Sequence, residues 1–425
     1  MTLGRTLLPQ TIVDRIVDHL RADNEYASLA PYATVSKQWQ IAVERHTFRQ
    51  LYISSARLEE LNTIVCRRRQ CTLQVITLHI ALASYHRNQR GDAESREDGS
   101  ATTRIFTSFM QDFFGTLSKW EVEHGPPEGI HVEILIESPS DESSSSSRRV
   151  SPATTRRARA SPVRIDLHRD ALPAALVASA LTCTGRHIEL TSVLLLLEKM
   201  PNLRLLDTEL EHDTNGSKDL EQRREFVLGL ELYAPKVTDL RLRRPQNASE
   251  PRNRPPREAR ALFYNVLASY TRRCTDLTFD DSVDAREFFA PYADESDQAN
   301  RHRHPGTWRR LERLHIRNSY MLRRPYMRVA TRATALQHVH EVLTLVGRAL
   351  RAMPVVENVR IRQYILTEEG LQTISVQYYF DGRVPTIRFS GIKPVRATLE
   401  AWRASVRERR GAHLRVDVDA PGVQD

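Results

Sequence analysis

Six short segments of the chain place apolar residues in the order L-x-x-L-x-L, and this recurrence sharply limits the folds open to it. They are Leu73/Ile76/Leu78, Leu203/Leu206/Thr208, Val237/Leu240/Leu242, Cys274/Leu277/Phe279, Leu311/Leu314/Ile316 and Val356/Val359/Ile361, with Thr208 departing from the apolar rule. The last five begin 34, 37, 37 and 45 residues apart. Helical stretches precede several of them, over 194–200, 221–233, 259–273 and 335–353. Pro201, Pro235 and Pro354 each stop a helix just before its strand, because proline cannot continue the helical hydrogen-bond ladder. A helix and a short strand cannot bury both their faces alone. Stacked copies are therefore expected to form a parallel sheet backed by helices, which places the chain in the α/β class.

Other elements follow from spacing. Phe106, Phe109, Met110, Phe113, Phe114 and Leu117 recur at helical intervals within 105–120. The alternation of 130–136 then reads as a strand. The chain closes with a strand over 373–380, a helix over 395–409 and a polar tail. Two segments read as disordered linkers: 86–104, with almost no apolar residues, and 138–162, with a five-serine run and an arginine cluster. Ser151 and Ser161 precede prolines there, as in substrates of proline-directed kinases or simply in an inert loop. Weaker breaks fall at 244–257 and 294–306. The divisions are thus 1–52, 53–137 (containing the linker 86–104), 138–162, 163–392 and 393–425. The array resembles a leucine-rich-repeat solenoid, although it is long, irregular and without an asparagine ladder. A non-repetitive α/β domain with parallel crossovers gives much the same pattern.

The first fifty residues differ. Leu8-Pro9 opens a helix in which Ile12, Val13, Ile16, Val17 and Leu20 form one wide apolar face. Leu29, Val35, Trp39 and Val43 continue through two short helices, with Ser36 placed to cap the last and Pro31 keeping the middle one short or broken. A three-helix unit of this size cannot bury so many apolar residues, so some require a partner surface. The ordered motif L-P-x-x-I-x-x-x-I-x-x-x-L, then L-A-x-Y-A-T-V-S-K-x-W-x-x-x-V and a closing Phe48, resembles the F-box over residues 7–51. With the repeats behind it, and the stretch ILIESPSD at 134–141, the chain looks like the filamentous-fungal F-box proteins. That resemblance implies a non-catalytic substrate-recognition subunit of a Skp–cullin–F-box ubiquitin ligase. It implies that Leu8, Pro9, Ile12, Ile16, Leu20, Leu29, Val35, Ser36 and Trp39 contact a Skp-type adaptor and through it a cullin, with Trp39 alternatively bracing the helices. The repeats would hold a protein substrate. The competing reading of 9–43 is the first helical layer of a larger domain.

Exclusions narrow the chemistry. No apolar run approaches membrane-spanning length and no signal peptide is evident, so cytoplasm or nucleus is expected. No phosphate-binding glycine loop, nucleophile elbow or H-E-x-x-H occurs, and no enzyme, cofactor or metal is indicated. His302/His304 and His338/His340 read as solvated or core histidines, and Asp280-Asp281 and Asp294-Glu295 as turn and capping residues. Cys66, Cys71, Cys183 and Cys274 read as buried small hydrophobes. Of 62 basic residues only six are lysines, which predicts weak self-ubiquitylation in a ligase. Between the repeat apolars lie Arg241, Arg243, Arg313, His315, Arg317, Arg360 and Arg362, a candidate substrate face suited to an acidic or phosphorylated partner, or else a solvated basic surface. The remaining alternatives are nucleic-acid binding through arginine, and an F-box protein working outside the ligase.

Overall fold

A strand followed by a helix long enough to return to the strand's starting edge pairs in parallel with the next strand. Most of this chain is built that way. The computed structural model describes residues 8–23, 28–84, 95–142, 162–210, 216–244, 255–292, 306–318, 332–367 and 370–419. Two compact units divide it, Met1–Arg186 with Lys199–Asn202, and His187–Glu198 with Leu203–Asp425. The Ser-Pro positions Ser151 and Ser161, the pair His302/His304 and Asp294-Glu295 lie outside the described residues.

The first unit begins with helices α1 (Gln10–Asp23) and α2 (Lys37–Thr47), separated by a 3₁₀ turn at Ala30–Thr34. The middle helix of the expected three is this turn, with Pro31 at its start. Strand β1 (Gln50–Ser54) follows, then the one-turn helices α3 (Leu61–Ile64) and α4 (Arg67–Gln70), and β2 (Val75–Ala81). Next come α5 (Arg96–Leu117), β3 (Ile130–Glu137), the short α6 (Pro139–Glu142) and β4 (Ala178–Gly185). The four strands pair in parallel in chain order, with Ile76, Val132 and Leu181 as register partners and Leu78, Ile134 and Cys183 likewise. These side chains are buried, as are Phe106, Met110, Phe113, Phe114 and Leu117 of α5.

Three expectations need correction here, the first being the linker over 138–162, whose opening residues form α6. The linker expected over 86–104 ends earlier, because α5 starts at Arg96. Ser95 caps it by accepting a hydrogen bond from the Asp98 amide at 3.1 Å, and Glu97 and Asp98 suit the positive end of the helix dipole. Cys66 and Cys71 are exposed, since they flank the single turn of α4, whereas Cys183 and Cys274 are buried as expected.

In the second unit, β5 (Leu205–Glu209), β6 (Asp239–Arg243), β7 (Asp276–Asp280), β8 (Arg313–Asn318) and β9 (Asn358–Thr367) are parallel neighbours in chain order. The helices are α7 (Leu190–Glu198), α8 (Gly216–Tyr233), α9 (Arg257–Thr271), α10 (Ala285–Phe289) and α11 (Arg332–Ala349). The repeated apolar positions fall into exact lateral rows. Leu206, Leu240, Leu277, Leu314 and Val359 form one, and Thr208, Leu242, Phe279, Ile316 and Ile361 the next. All ten are buried. Crossovers that step always in one direction, with the usual right-handed sense, keep their helices on one side of a sheet. The burial pattern agrees, because the residues between these rows are half-buried or exposed.

Beyond β9 the pattern changes. Strand β10 (Gly370–Tyr379) turns back antiparallel on β9, β11 (Thr386–Ser390) is antiparallel to β10, and α12 (Arg396–Arg410) leads to β12 (Arg415–Asp419), parallel to β11. Part of the expected polar tail is thus a strand. Gly347 of α11 allows α12 to approach closely, since a Cβ there would stand 2.6 Å from the Trp402 ring. The Trp402 indole also donates to the Leu343 carbonyl at 2.9 Å.

Candidate interaction surfaces

The N-terminal helices make a small core of their own. Val13 and Val17, one turn apart on α1, pack with Ala42 and Val43 of α2, and Leu29, Ala33 and Trp39 close around them. The Ser36 hydroxyl caps α2 by accepting from the Trp39 amide at 3.4 Å, and the Trp39 ring stacks on Tyr32. The Gln38 amide donates to the Leu8 carbonyl at 2.9 Å, and the Gln10 amide donates to the Gln38 carbonyl at 3.1 Å. These bonds tie the starts of α1 and α2 together. Glu44 joins α2 to α4 through Arg68 and Arg69. Burial raises its carboxyl pKa, but the hydrogen bonds from Arg69 and Gln40 and the two guanidinium charges outweigh that and hold it low.

The nine residues implied by the F-box resemblance separate into two sets. Leu8, Ile12 and Val35 remain 48%, 44% and 62% exposed, and Pro9 is exposed beside them. All four belong to the joined starts of the two helices. Ile16, Leu20, Leu29, Ser36 and Trp39 are half-buried, and Trp39 braces the helices. Tyr32 is a further exposed aromatic that the sequence reading did not single out. Three aliphatic side chains left this open are an unmet apolar demand, each worth about 1.5–3 kcal/mol on full burial.

The second candidate surface is the side of the β5–β12 sheet opposite the buried rows. In register across it run Asp207, Arg241, Thr278, His315, Arg360, Gln377 and Arg388, and beside them Glu209, Arg243, then Arg317, Arg362, Ser375 and Ser390. The arginines expected there are present but not equivalent. Arg243 binds Asp207 at 2.6 Å, Arg241 binds Asp239 at 2.9 Å, Arg313 binds Asp276, and Arg317 binds Asp280 at 3.5 Å. Arg317 also lies over the Tyr364 ring. Arg360 and Arg362 have no ion-pair or hydrogen-bond partner among the described residues, and neither has Arg388. Arg388 was missed by the sequence reading because β11 lies outside the repeat. Asp207 and Asp276 were missed because their partners, Arg243 and Arg313, are 36 and 37 residues away in sequence. Burial, with the nearby Arg360 charge next in weight, lowers the His315 pKa. Burial likewise pushes the Asp207 and Glu209 carboxyls up despite Arg243 and His187.

Residues 229–424 match the model of a family of unknown function, DUF6546. The match runs from the last turn of α8 through β12 and so includes most of this charged face. No curated protein matches the chain. Among the described residues no cluster of histidine, cysteine or carboxylate side chains could hold a metal, and no helix is long and apolar enough to cross a membrane.

Proposed function

We propose that the N-terminal helices are an F-box-type docking module for a Skp-type adaptor and that the sheet that follows in the chain is a leucine-rich-repeat-like receptor for a protein substrate. The chain would then be a non-catalytic subunit of a Skp–cullin–F-box ubiquitin ligase, with transfer performed by other subunits. The observation that carries the docking reading is the exposure of Leu8, Pro9, Ile12 and Val35 on a module that buries Val13, Val17, Ala42 and Val43 elsewhere. A layer of a larger domain would have those four covered. The receptor reading is supported by the one-directional strand order, which distinguishes a stacked array from a doubly wound sheet whose order reverses.

Co-expression with a Skp-type adaptor tests the docking. The wild-type chain should recover the adaptor, while Leu8→Asp with Pro9→Ser, or Val35→Asp alone, should reduce recovery about tenfold or more. Their circular dichroism should not change, because these positions are already in water. Failure of the wild-type chain to recover the adaptor, or full recovery by both variants, ends the proposal. In a reconstituted ligase the chain itself should be a poor ubiquitin acceptor, having only six lysines.

A further inference from the structure

The paired and unpaired arginines of the sheet face point to a specific ligand. The outward positions of β8, β9, β10 and β11 carry Arg313, Arg317, Arg360, Arg362 and Arg388 and no carboxylate, while those of β5, β6 and β7 carry five carboxylates and two arginines. Within the basic part, Arg313 and Arg317 are occupied by Asp276 and Asp280. Among the described residues, the cations here without an ion-pair or hydrogen-bond partner are Arg360 and Arg362 on β9 and Arg388 on β11.

Backbone geometry places these three close together. Arg360 and Arg362 alternate on one strand, so their Cα atoms stand about 6.6 Å apart on the same face. Arg360 and Arg388 flank Gln377 of β10 in one lateral row, about 9.6 Å apart at two strand spacings. Ser375 and Ser390 fill the neighbouring row beside Arg362. Long guanidinium side chains from these positions can meet above Gln377 and Ser375, where hydroxyl and amide groups supply neutral hydrogen bonds.

The surroundings limit the size of the anion. Asp276 and Asp280 lie on one side of the patch. On the other are Asp417, which pairs with Arg415 at 3.1 Å, and Asp419. A polyanion laid across the strands would run into carboxylates in both directions. A single compact dianion would not. Guanidinium groups favour phosphoryl oxygens because planar paired donors match them.

We infer that Arg360, Arg362 and Arg388 bind one phosphoryl group, presented as a phosphorylated serine or threonine of a protein partner. This deepens the receptor reading of the sheet and is independent of adaptor docking.

The probes are a degenerate phosphoserine/phosphothreonine peptide library, its unphosphorylated counterpart, inorganic phosphate and a single-stranded oligonucleotide, each titrated against the full chain. Phosphorylated peptides should bind and unphosphorylated ones should not. Arg360→Ala, Arg362→Ala and Arg388→Ala should each weaken binding about tenfold or more. Arg241→Ala, which removes an already paired cation, should change it less than about twofold. Unchanged thermal unfolding of the variants excludes misfolding, and adaptor recovery measured on the same variants separates failure of this site from failure of the docking module. The inference is overturned if phosphorylation makes no difference, if the three variants bind like wild type, or if Arg241→Ala weakens binding equally. It is also overturned if inorganic phosphate binds as tightly as the peptides, or if the oligonucleotide binds more tightly with a steep salt dependence.

Discussion

The two halves of the second unit's sheet share one inner face and differ on the other. From β5 to β7 the outward side chains carry five carboxylates against two arginines, and both arginines are paired, Arg243 with Asp207 and Arg241 with Asp239. From β8 to β11 the cations outnumber the anions, and three arginines are left without a partner among the described residues. The buried rows run unchanged through β9, from Leu206 to Val359 and from Thr208 to Ile361. A parallel sheet can thus keep one face constant for stability while the other varies freely. The difference is informative because an arginine paired with a carboxylate is held by the fold, whereas one with no ion-pair partner among the described residues keeps its donors for something outside it.

The largest expected effect tests the shared face. Leu277→Ala on β7 and Leu314→Ala on β8 should each destabilise by about 2–5 kcal/mol in chemical denaturation, because both remove fully packed side chains. Similar losses would support one continuous core, while a large loss in only one half would break the comparison. Next come the arginines. Arg243→Ala strands a mostly buried Asp207 and should cost about 1–3 kcal/mol, whereas Arg362→Ala should stay within about 0.5 kcal/mol of wild type. A loss at Arg362 matching that at Arg243 would show that the second half is also internally paired.

A smaller effect should appear in the pH dependence. Burial raises Asp207 and Glu209 above their ordinary values of 3.8 and 4.5, so the folded chain retains protons that the unfolded chain has released. The stability they contribute is complete below those ordinary values and is lost as pH rises through the folded ones. Asp207→Asn with Glu209→Gln should therefore flatten the fall in unfolding free energy over that interval. A variant whose profile still parallels wild type would contradict this assignment. Smallest of all, Arg415→Ala should cost less than about 1 kcal/mol, since its pair with Asp417 is solvent-exposed on the arginine side.

The repeat strands were readable from the sequence because alternation of apolar residues survives whatever lies beside them. DLRLR at 239–243 and RLHIR at 313–317 state both faces openly. Strand β4 did not, being the weakly apolar ASALTCTG, and β12 is RVDVD, whose assignment depends on β11 being next to it. The same limit applies to the surfaces. The arginines could be named from their positions, but not which ones are neutralised, because Asp276 is 37 residues from Arg313 and reaches it only through strand order. In the helical module the ordered motif gave the residues, while burial separated Val13 and Val17, which hold it together, from Leu8 and Val35, which do not.

The chain-order arrangement of β5 to β9 also bears on how the protein is made. Each new strand joins the edge of one already formed, about 40 residues back, so loop closure stays short throughout this region. The sheet can extend as the polypeptide leaves the ribosome, with no early segment waiting for a late partner. Synthesis and folding of this region can thus proceed in the same direction, and the β9–β10 reversal comes only after the five parallel strands have been laid down.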